Sequence, residues 1–420
     1  MEITIVESVM VKPASPTPNI RIQNSSLDLL APIVHIPVFY FYRSNDDPSF
    51  FDTKLLKEAI AKALVSFHPL AGRFANGRTE IHCNGEGVLF VEAETTSSFV
   101  EDMGEFSPMN NLYPRVDYSL GIGTFPLVVV QVTRFRCGGV SLVAAFYHTV
   151  ADGYSFLTFV KTWSDLARGE CVKQVPFLDR AVLDARDPPK PLFPHVEYQP
   201  PPSMLSETAT EPAKNCKFKF TKLQIAKLRE MTRGGGVHYS TFEVLAGHIW
   251  RCVSKSRGMK DEQETKLHVS TDGRRRFRPP LPDGYLGNVI FTAAAVAKAG
   301  ETQFTHAHWV RKIHAALKRM DDEYLRSALD YLDLLPDLSK HIRTPRLSKC
   351  PNMIISSWVR LPVHETDFGW GRPSYVGCSN SLDDGLCYIL PNLSSDGSLT
   401  IAIGLNSNHM ELFQHFIFDF

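Results

Sequence analysis

Between residues 186 and 214 the chain carries two proline clusters, Arg186-Asp-Pro-Pro-Lys-Pro-Leu-Phe-Pro and Gln199-Pro-Pro-Pro-Ser. Proline fixes φ and has no backbone N–H to donate, so this stretch is neither a helix interior nor a central strand. It splits the 420-residue chain into two lengths that each suit a domain. The expectation is an N-terminal domain over 1–185, a proline-rich crossover over 186–214 and a C-terminal domain over 215–420.

Both halves mix helical and strand periods. Leu55, Leu56, Ile60 and Leu64 recur at helical spacing behind Asp52, a residue suited to cap a helix start. Phe39–Tyr42, Gly87–Ala93, Leu127–Arg134 and Val140–Tyr147 read as strands, and the last, apolar on both faces, as a central one. A helix follows over Tyr154–Ala167. In the second half, helices are expected over Thr221–Arg233, Ser240–Ser256 and His409–Phe418. Strands are expected over Lys266–Ser270, Asn288–Val296, Asn352–Leu361, Cys387–Leu390 and Leu399–Leu405. The fold class is therefore α/β, with two similar-sized domains of mixed β-sheets flanked by helices.

The 45 basic and 45 acidic side chains cancel, which argues against a nucleic-acid partner. The longest apolar runs, such as Phe125–Val130, are strand-sized, so no membrane association is expected. Met1-Glu2-Ile3-Thr4-Ile5 has an acid where a targeting peptide carries Lys or Arg. The eight cysteines are scattered, with no Cys-x-x-Cys pair. That pattern fits reduced thiols in a cytoplasmic enzyme, and no metal site is expected. Asn24-Ser-Ser and Asn392-Leu-Ser match the glycosylation triplet and, without a signal peptide, are read as chance.

The segment richest in chemistry is Ala144-Ala-Phe-Tyr-His148-Thr-Val-Ala-Asp152-Gly153. A buried strand ends, a turn follows and a helix begins, with Asp152 placed as its N-cap. His148 stands where the strand runs out, so its ring can enter a cleft while its backbone stays fixed. A carbonyl on one ring nitrogen would leave the other free to take a proton. Two further segments accompany it. One is Asp367-Phe-Gly-Trp-Gly371, whose glycine turns around Trp370 suit a loop shaping a channel. The other is Ser270-Thr-Asp-Gly-Arg274, followed by Gly284-Tyr-Leu-Gly-Asn288.

With both motifs in this order, the chain resembles the plant BAHD acyltransferases, which transfer acyl groups from coenzyme A thioesters to alcohols or amines. The resemblance extends over the whole chain, through Ser66-Phe-His-Pro-Leu-Ala-Gly-Arg73, Gly85-Glu-Gly-Val-Leu-Phe-Val-Glu-Ala-Glu94 and Ser164-Asp-Leu-Ala-Arg-Gly169. These segments are most similar to the hydroxycinnamoyl transferases that serve shikimate, quinate or hydroxyphenyllactate. The resemblance implies a chloramphenicol-acetyltransferase-like fold with the active-site channel at the domain interface.

It also implies roles. His148 is the general base, taking the acceptor proton as the oxygen attacks the thioester. No acyl-enzyme is needed, and the chain has no Gly-x-Ser-x-Gly elbow. Asp152 turns away and pairs with Arg274. Asp367 and Gly369 are structural, and Trp370 lies near the reaction centre. Arg343 grips an acceptor carboxylate, with Tyr40, Ile36, Val38 and Ser356 in the acceptor pocket. Ser254, Lys255, Arg257, Gly284, Tyr285, Leu286, Gly287, Asn288, Ser357 and Trp358 contact acyl-coenzyme A, Lys255 and Arg257 at its phosphates. The implied partners are a small-molecule acyl-coenzyme A co-substrate and a hydroxy-acid acceptor. No permanently bound cofactor is implied, and the protein would be a monomer.

The chain also departs from the resemblance. Ile36 and Val38 stand where shikimate-type enzymes tend to carry small hydroxyl residues, Phe156 where glycine is frequent, and Leu286 where an aromatic is usual. These leave room for an aromatic or smaller hydroxy acid. The alternatives are transfer to an amine such as anthranilate or a polyamine, and an acyl-coenzyme A-binding protein without turnover.

Overall fold

The computed structural model describes residues 2–420 apart from 46, 98–108, 110, 205–211, 234–235, 380–381 and 395. The first half contains β1 (Thr4–Val11), β2 (Arg21–Gln23), α1 (Ser26–Leu29), β3 (His35–Tyr42), α2 (Thr53–Ser66), β4 (Arg73–Ala75), β5 (Glu80–His82), β6 (Val88–Thr95), β7 (Val128–Phe135), β8 (Val140–Tyr147) and α3 (Gly153–Ala167). The second contains β9 (Ala213–Phe220), α4 (Lys222–Glu230), α5 (Thr241–Ser256), β10 (Glu264–Asp272), β11 (Ile290–Lys298), α6 (His306–Lys318), α7 (Asp322–Asp333), β12 (Met353–Ser357), β13 (Tyr375–Gly377), β14 (Leu386–Pro391), β15 (Leu399–Asn406) and α8 (Ser407–Phe416).

Two six-stranded mixed sheets result, ordered β1-β6-β7-β8-β3-β13 and β11-β10-β12-β14-β15-β9, with a small sheet β2-β5-β4 beside them. The first sheet has one parallel pair, β6 with β7. The second has two, β10 with β12 and β12 with β14. Every residue of β8 is buried, as its two apolar faces require. The Asp52 carboxylate accepts from the Lys54 N–H and starts α2. Phe156, Phe159, Val160 and Trp163 of α3 are fully buried in the first core. Each contributes about 1.5–3 kcal/mol by leaving water. The Trp163 indole N–H stays satisfied on the Leu56 carbonyl, 2.9 Å away.

The second half does not stay on its own side. Its β13 pairs with β3 at the edge of the first sheet. Trp358, Val363 and Phe368 sit in the first core, while Leu27, Leu30 and Leu183 sit in the second. The described part of the proline-rich crossover holds no helix or strand until β9 begins, and residues 205–211 of that stretch lie outside the described residues. Two expected boundaries are corrected. The strand expected to reach Leu361 stops at Ser357, because the chain turns there with the Leu361 N–H on the Trp358 carbonyl. The helix expected to reach Arg233 stops at Glu230.

Among the described residues, no helix is long and apolar enough to cross a membrane and no cluster of ligating side chains suits a metal. None of the eight cysteines is bridged. Asn24 is buried, its amide held by the Arg78 carbonyl and the Arg180 guanidinium, so that glycosylation triplet is not available.

Candidate active site

β8 delivers His148 to the wall of a cavity of about 1760 Å³ whose lining comes from both halves. The His148 N–H donates to the Val34 carbonyl at 3.1 Å, so the backbone is fixed where the strand ends. Its ring Nδ1 lies 3.2 Å from Asn288 Oδ1. An amide oxygen only accepts, so Nδ1 carries the hydrogen and Nε2 carries the lone pair. Burial, and then the positive charge of Arg343, push the His148 imidazolium below its ordinary range. The ring is therefore neutral near pH 7, as a base must be.

Four residues on, Asp152 does something else. It caps α3 through the Ser155 N–H at 3.0 Å and receives Arg274 on both oxygens, at 2.7 and 3.0 Å. The Val289 N–H adds a further bond at 3.0 Å. Burial alone would raise this carboxyl, but the Arg274 guanidinium and these N–H groups hold it below its usual value. With both oxygens committed, Asp152 fastens α3 to the second half and takes no proton from the ring.

Arg343 lines the same cavity. Its backbone N–H is tied to the Leu30 carbonyl, and His341 beside it contacts the Tyr198 carbonyl of the crossover. Its Nε and Nη2 are buried with no hydrogen-bond partner among the described residues. A buried cation left in that state is costly and favours an anion that can take two parallel bonds, as a carboxylate does. Around it and His148 the wall is largely apolar, with Pro32, Val34, Ile36, Val38 and Phe146. The rest of the cavity carries hydroxyls, among them Ser240, Thr241 and Ser356, and the cations Arg275, Arg276, Lys318 and Arg360.

Thus His148, Ile36, Val38, Arg343, Ser356, Gly284, Ser357 and Trp358 are brought to one cavity. Other expected site residues are not. Tyr40 is wholly buried in the first core, away from the cavity. Ser254 and Arg257 face inward: Arg257 donates to the Asn352 carbonyl at 2.8 Å and lies 3.4 Å from Asp384. Lys255 is exposed near the end of α5, its ammonium 4.0 Å from the centre of the Phe416 ring. None of the three lines the cavity, whose cations are Arg275, Arg276, Lys318 and Arg360 beside Arg274 and Arg343.

Tyr285, Leu286, Gly287 and Asn288 stand behind the wall rather than in it. The Tyr285 and Gly287 carbonyls hold the Ser155 hydroxyl, Leu286 joins the first core and Asn288 orients the ring. Trp370 does not line the cavity either. It packs on Phe51 with ring centres 5.1 Å apart and donates to Ser49 Oγ at 3.2 Å. Asp367 takes the Gly369 and Gly371 N–H groups at 2.8 and 3.0 Å, while Arg168 donates to its carbonyl. Gly369 and Gly371 sit at φ 109° and 100°, where a side chain is strained. The second motif is thus a clasp on the first half. Sequence reasoning missed Ser240, Thr241 and Arg275, although Arg275 follows Arg274 directly.

A neutral, oriented imidazole and an arginine whose Nε and Nη2 find no partner among the described residues share a cavity roomy enough for two substrates, an arrangement suited to base-assisted transfer of a group between them. The chain belongs to the Transferase family, whose model matches residues 1–418. It is 50% identical to shikimate O-hydroxycinnamoyltransferase of Nicotiana tabacum, with 100% of both chains covered. It is 48% identical to an Avena sativa hydroxycinnamoyl-CoA:5-hydroxyanthranilate N-hydroxycinnamoyltransferase and 43% identical to rosmarinate synthase of Plectranthus scutellarioides, again over 100% of each. Among solved structures, F. graminearum TRI101 complexed with coenzyme A and T-2 mycotoxin shares the fold at a TM-score of 0.79 and 18% identity, over 93% of this chain and 96% of that one. The BAHD resemblance stands, and the protein is an acyltransferase.

Proposed function

We propose that this enzyme moves a hydroxycinnamoyl group, p-coumaroyl or caffeoyl, from coenzyme A to the hydroxyl of a carboxylate-bearing acceptor of the shikimate, quinate or hydroxyphenyllactate type. The observation that carries it is Arg343 in the cavity of His148, with its Nε and Nη2 buried and without a hydrogen-bond partner among the described residues. The similarity to acyltransferases named for shikimate and rosmarinate supports the same reading.

In this reading the acceptor carboxylate seats on Arg343, which aims its hydroxyl at Nε2 of His148. The imidazole takes the proton as the oxygen attacks the thioester carbon. The tetrahedral intermediate collapses, the C–S bond breaks and coenzyme A leaves as thiolate, which the imidazolium can protonate. General-base help of this kind is worth about 10²–10⁴-fold, and holding both substrates together supplies more. Arg275, Lys318 and Arg360 offer charge to the coenzyme A phosphates. We further take 1–185 and 215–420 as the two domains, joined by the crossover 186–214, and the protein as a cytoplasmic monomer. Its unbridged cysteines support the setting.

A second reading has a specific basis. Ile36 and Val38 give the acceptor end an apolar face, and one relative is named for 5-hydroxyanthranilate, so an aromatic amino acid could take the same seat and give an amide. The test is p-coumaroyl-coenzyme A with shikimate, quinate, hydroxyphenyllactate, 5-hydroxyanthranilate and, as an acceptor without a carboxylate, a polyamine, followed by product mass. Ester with a carboxylate-bearing alcohol is expected. Turnover only with acceptors that lack a carboxylate would contradict the proposal.

A further inference from the structure

We propose that Asp28 is a positioning residue for this reaction: through the Asn288 amide it dictates which nitrogen of His148 faces the substrates. The inference rests on His148 as the base.

Asp28 lies in the four-residue α1 and is completely buried. One carboxylate oxygen serves its own neighbourhood. Oδ2 accepts the Ser25 N–H at 2.8 Å and its hydroxyl at 2.7 Å, and lies 2.9 Å from Arg180 Nη1. The other oxygen reaches across to the second half. Oδ1 accepts the Asn288 backbone N–H at 2.8 Å and its side-chain Nδ2 at 3.0 Å.

A carboxylate facing Arg180 is an acceptor only, so the NH₂ end of the Asn288 amide has to point at it. The second hydrogen of that NH₂ donates to the His148 carbonyl at 2.8 Å. Both amide hydrogens are then committed, and Oδ1 is left toward His148 Nδ1 at 3.2 Å. The amide orientation follows from the bonding network and leaves no choice of end. The ring must put its hydrogen on Nδ1 and keep Nε2 bare. Without Asp28, only the His148 carbonyl at 2.8 Å and the Thr149 carbonyl at 3.4 Å hold the NH₂ end, and a larger share of the amide turns over and offers hydrogens to Nδ1. The ring then adopts the Nε2–H form, which an unrestrained imidazole favours, and presents a proton where a lone pair is needed. His148 and Asp28 belong to the first half and Asn288 to the second, so the network imposes the reactive tautomer only when the halves are docked.

The test separates this role from the capping of α1. Histidine-¹⁵N-labelled wild type at pH 7.5 should show His148 protonated at Nδ1 and bare at Nε2, assigned by difference from His148→Ala. Asp28→Asn should lower kcat at least tenfold with both KM values near wild type, and should shift the ring signals toward the other tautomer. Ser25→Ala removes the cap but not the Asn288 contact, and should keep kcat within about twofold. A bare Nδ1 in wild type overturns the inference, as does a folded Asp28→Asn protein with wild-type kcat and tautomer. If Asp28→Asn does not fold, the wild-type ring spectrum decides. Wild-type turnover by His148→Ala would instead fail the base assignment itself. An inactive His148→Ala beside a fully active Asp28→Asn fails only the role of Asp28.

Discussion

A histidine works as a base only while neutral, and the surroundings of His148 keep it so. Burial and the Arg343 charge both disfavour the imidazolium. Its pKa is lowered, so the ring stays neutral below the pH at which an ordinary histidine protonates, and the acid limb of kcat/KM lies below pH 6.5. Arg343→Gln removes one of the two causes. It should move that limb to higher pH and weaken acceptor binding by a charged hydrogen bond, about 1.5–3 kcal/mol or some tenfold to 150-fold in acceptor KM. A limb that does not move, with an unchanged KM, would remove Arg343 from the acceptor site. Much of this was legible: the strand–turn–helix pattern around His148 is local, and periodicity exposes it. The roles of Lys255 and Arg257 were not. Whether a cation at the end of a helix faces a channel or the core depends on which neighbouring elements cover it, and Asp384 and Asn352 lie far along the chain from Arg257.

Two clasps hold the walls together. In the first, the buried Asp152–Arg274 pair fastens α3 to the turn after β10. Arg274→Met leaves the carboxylate buried and unpaired, a loss of about 3–5 kcal/mol to be read from urea unfolding. Unchanged stability would show that the pair contributes little. In the second, the Asp367–Gly371 loop grips Arg168, Ser49 and Phe51. Trp370→Ala should destabilise by about 1–3 kcal/mol, measured as a lower urea midpoint. The lengths of α2, α3, α5 and β8 were readable because each has a long apolar period and, for the helices, a Ser or Asp at the start. The strand β13 was not, since three residues carry no period and its partner β3 is more than 300 positions away. In contrast, α6 buries His306, Trp309, Val310, Ile313 and Ala316 at helical spacing, a signal that was present and unread.

Two cores that exchange side chains predict a molecule that acid loosens as a whole. Burial holds His35, His248 and His268 down at about 4 and His306 at about 3. In the unfolded chain these groups bind protons from about pH 6.5, while the native rings do not, so stability is lost as pH falls from 6.5 toward 4. Each such histidine steepens the decline by up to about 1.4 kcal/mol per pH unit. Urea midpoints that stay level between pH 6.5 and 5 would contradict this. The division into two α/β halves could be read from the proline clusters. Their interlocking through β13 and Trp358 could not, because nothing local marks a residue that packs in the other half's core. Of all these groups, the imidazole in the shared cavity matters most to turnover. The direct measurement is thiol release from p-coumaroyl-coenzyme A with shikimate, by wild type and by His148→Ala. Turnover lowered about 10²–10⁴-fold, with both KM values little changed, is the predicted result. Equal turnover by the two proteins would contradict it.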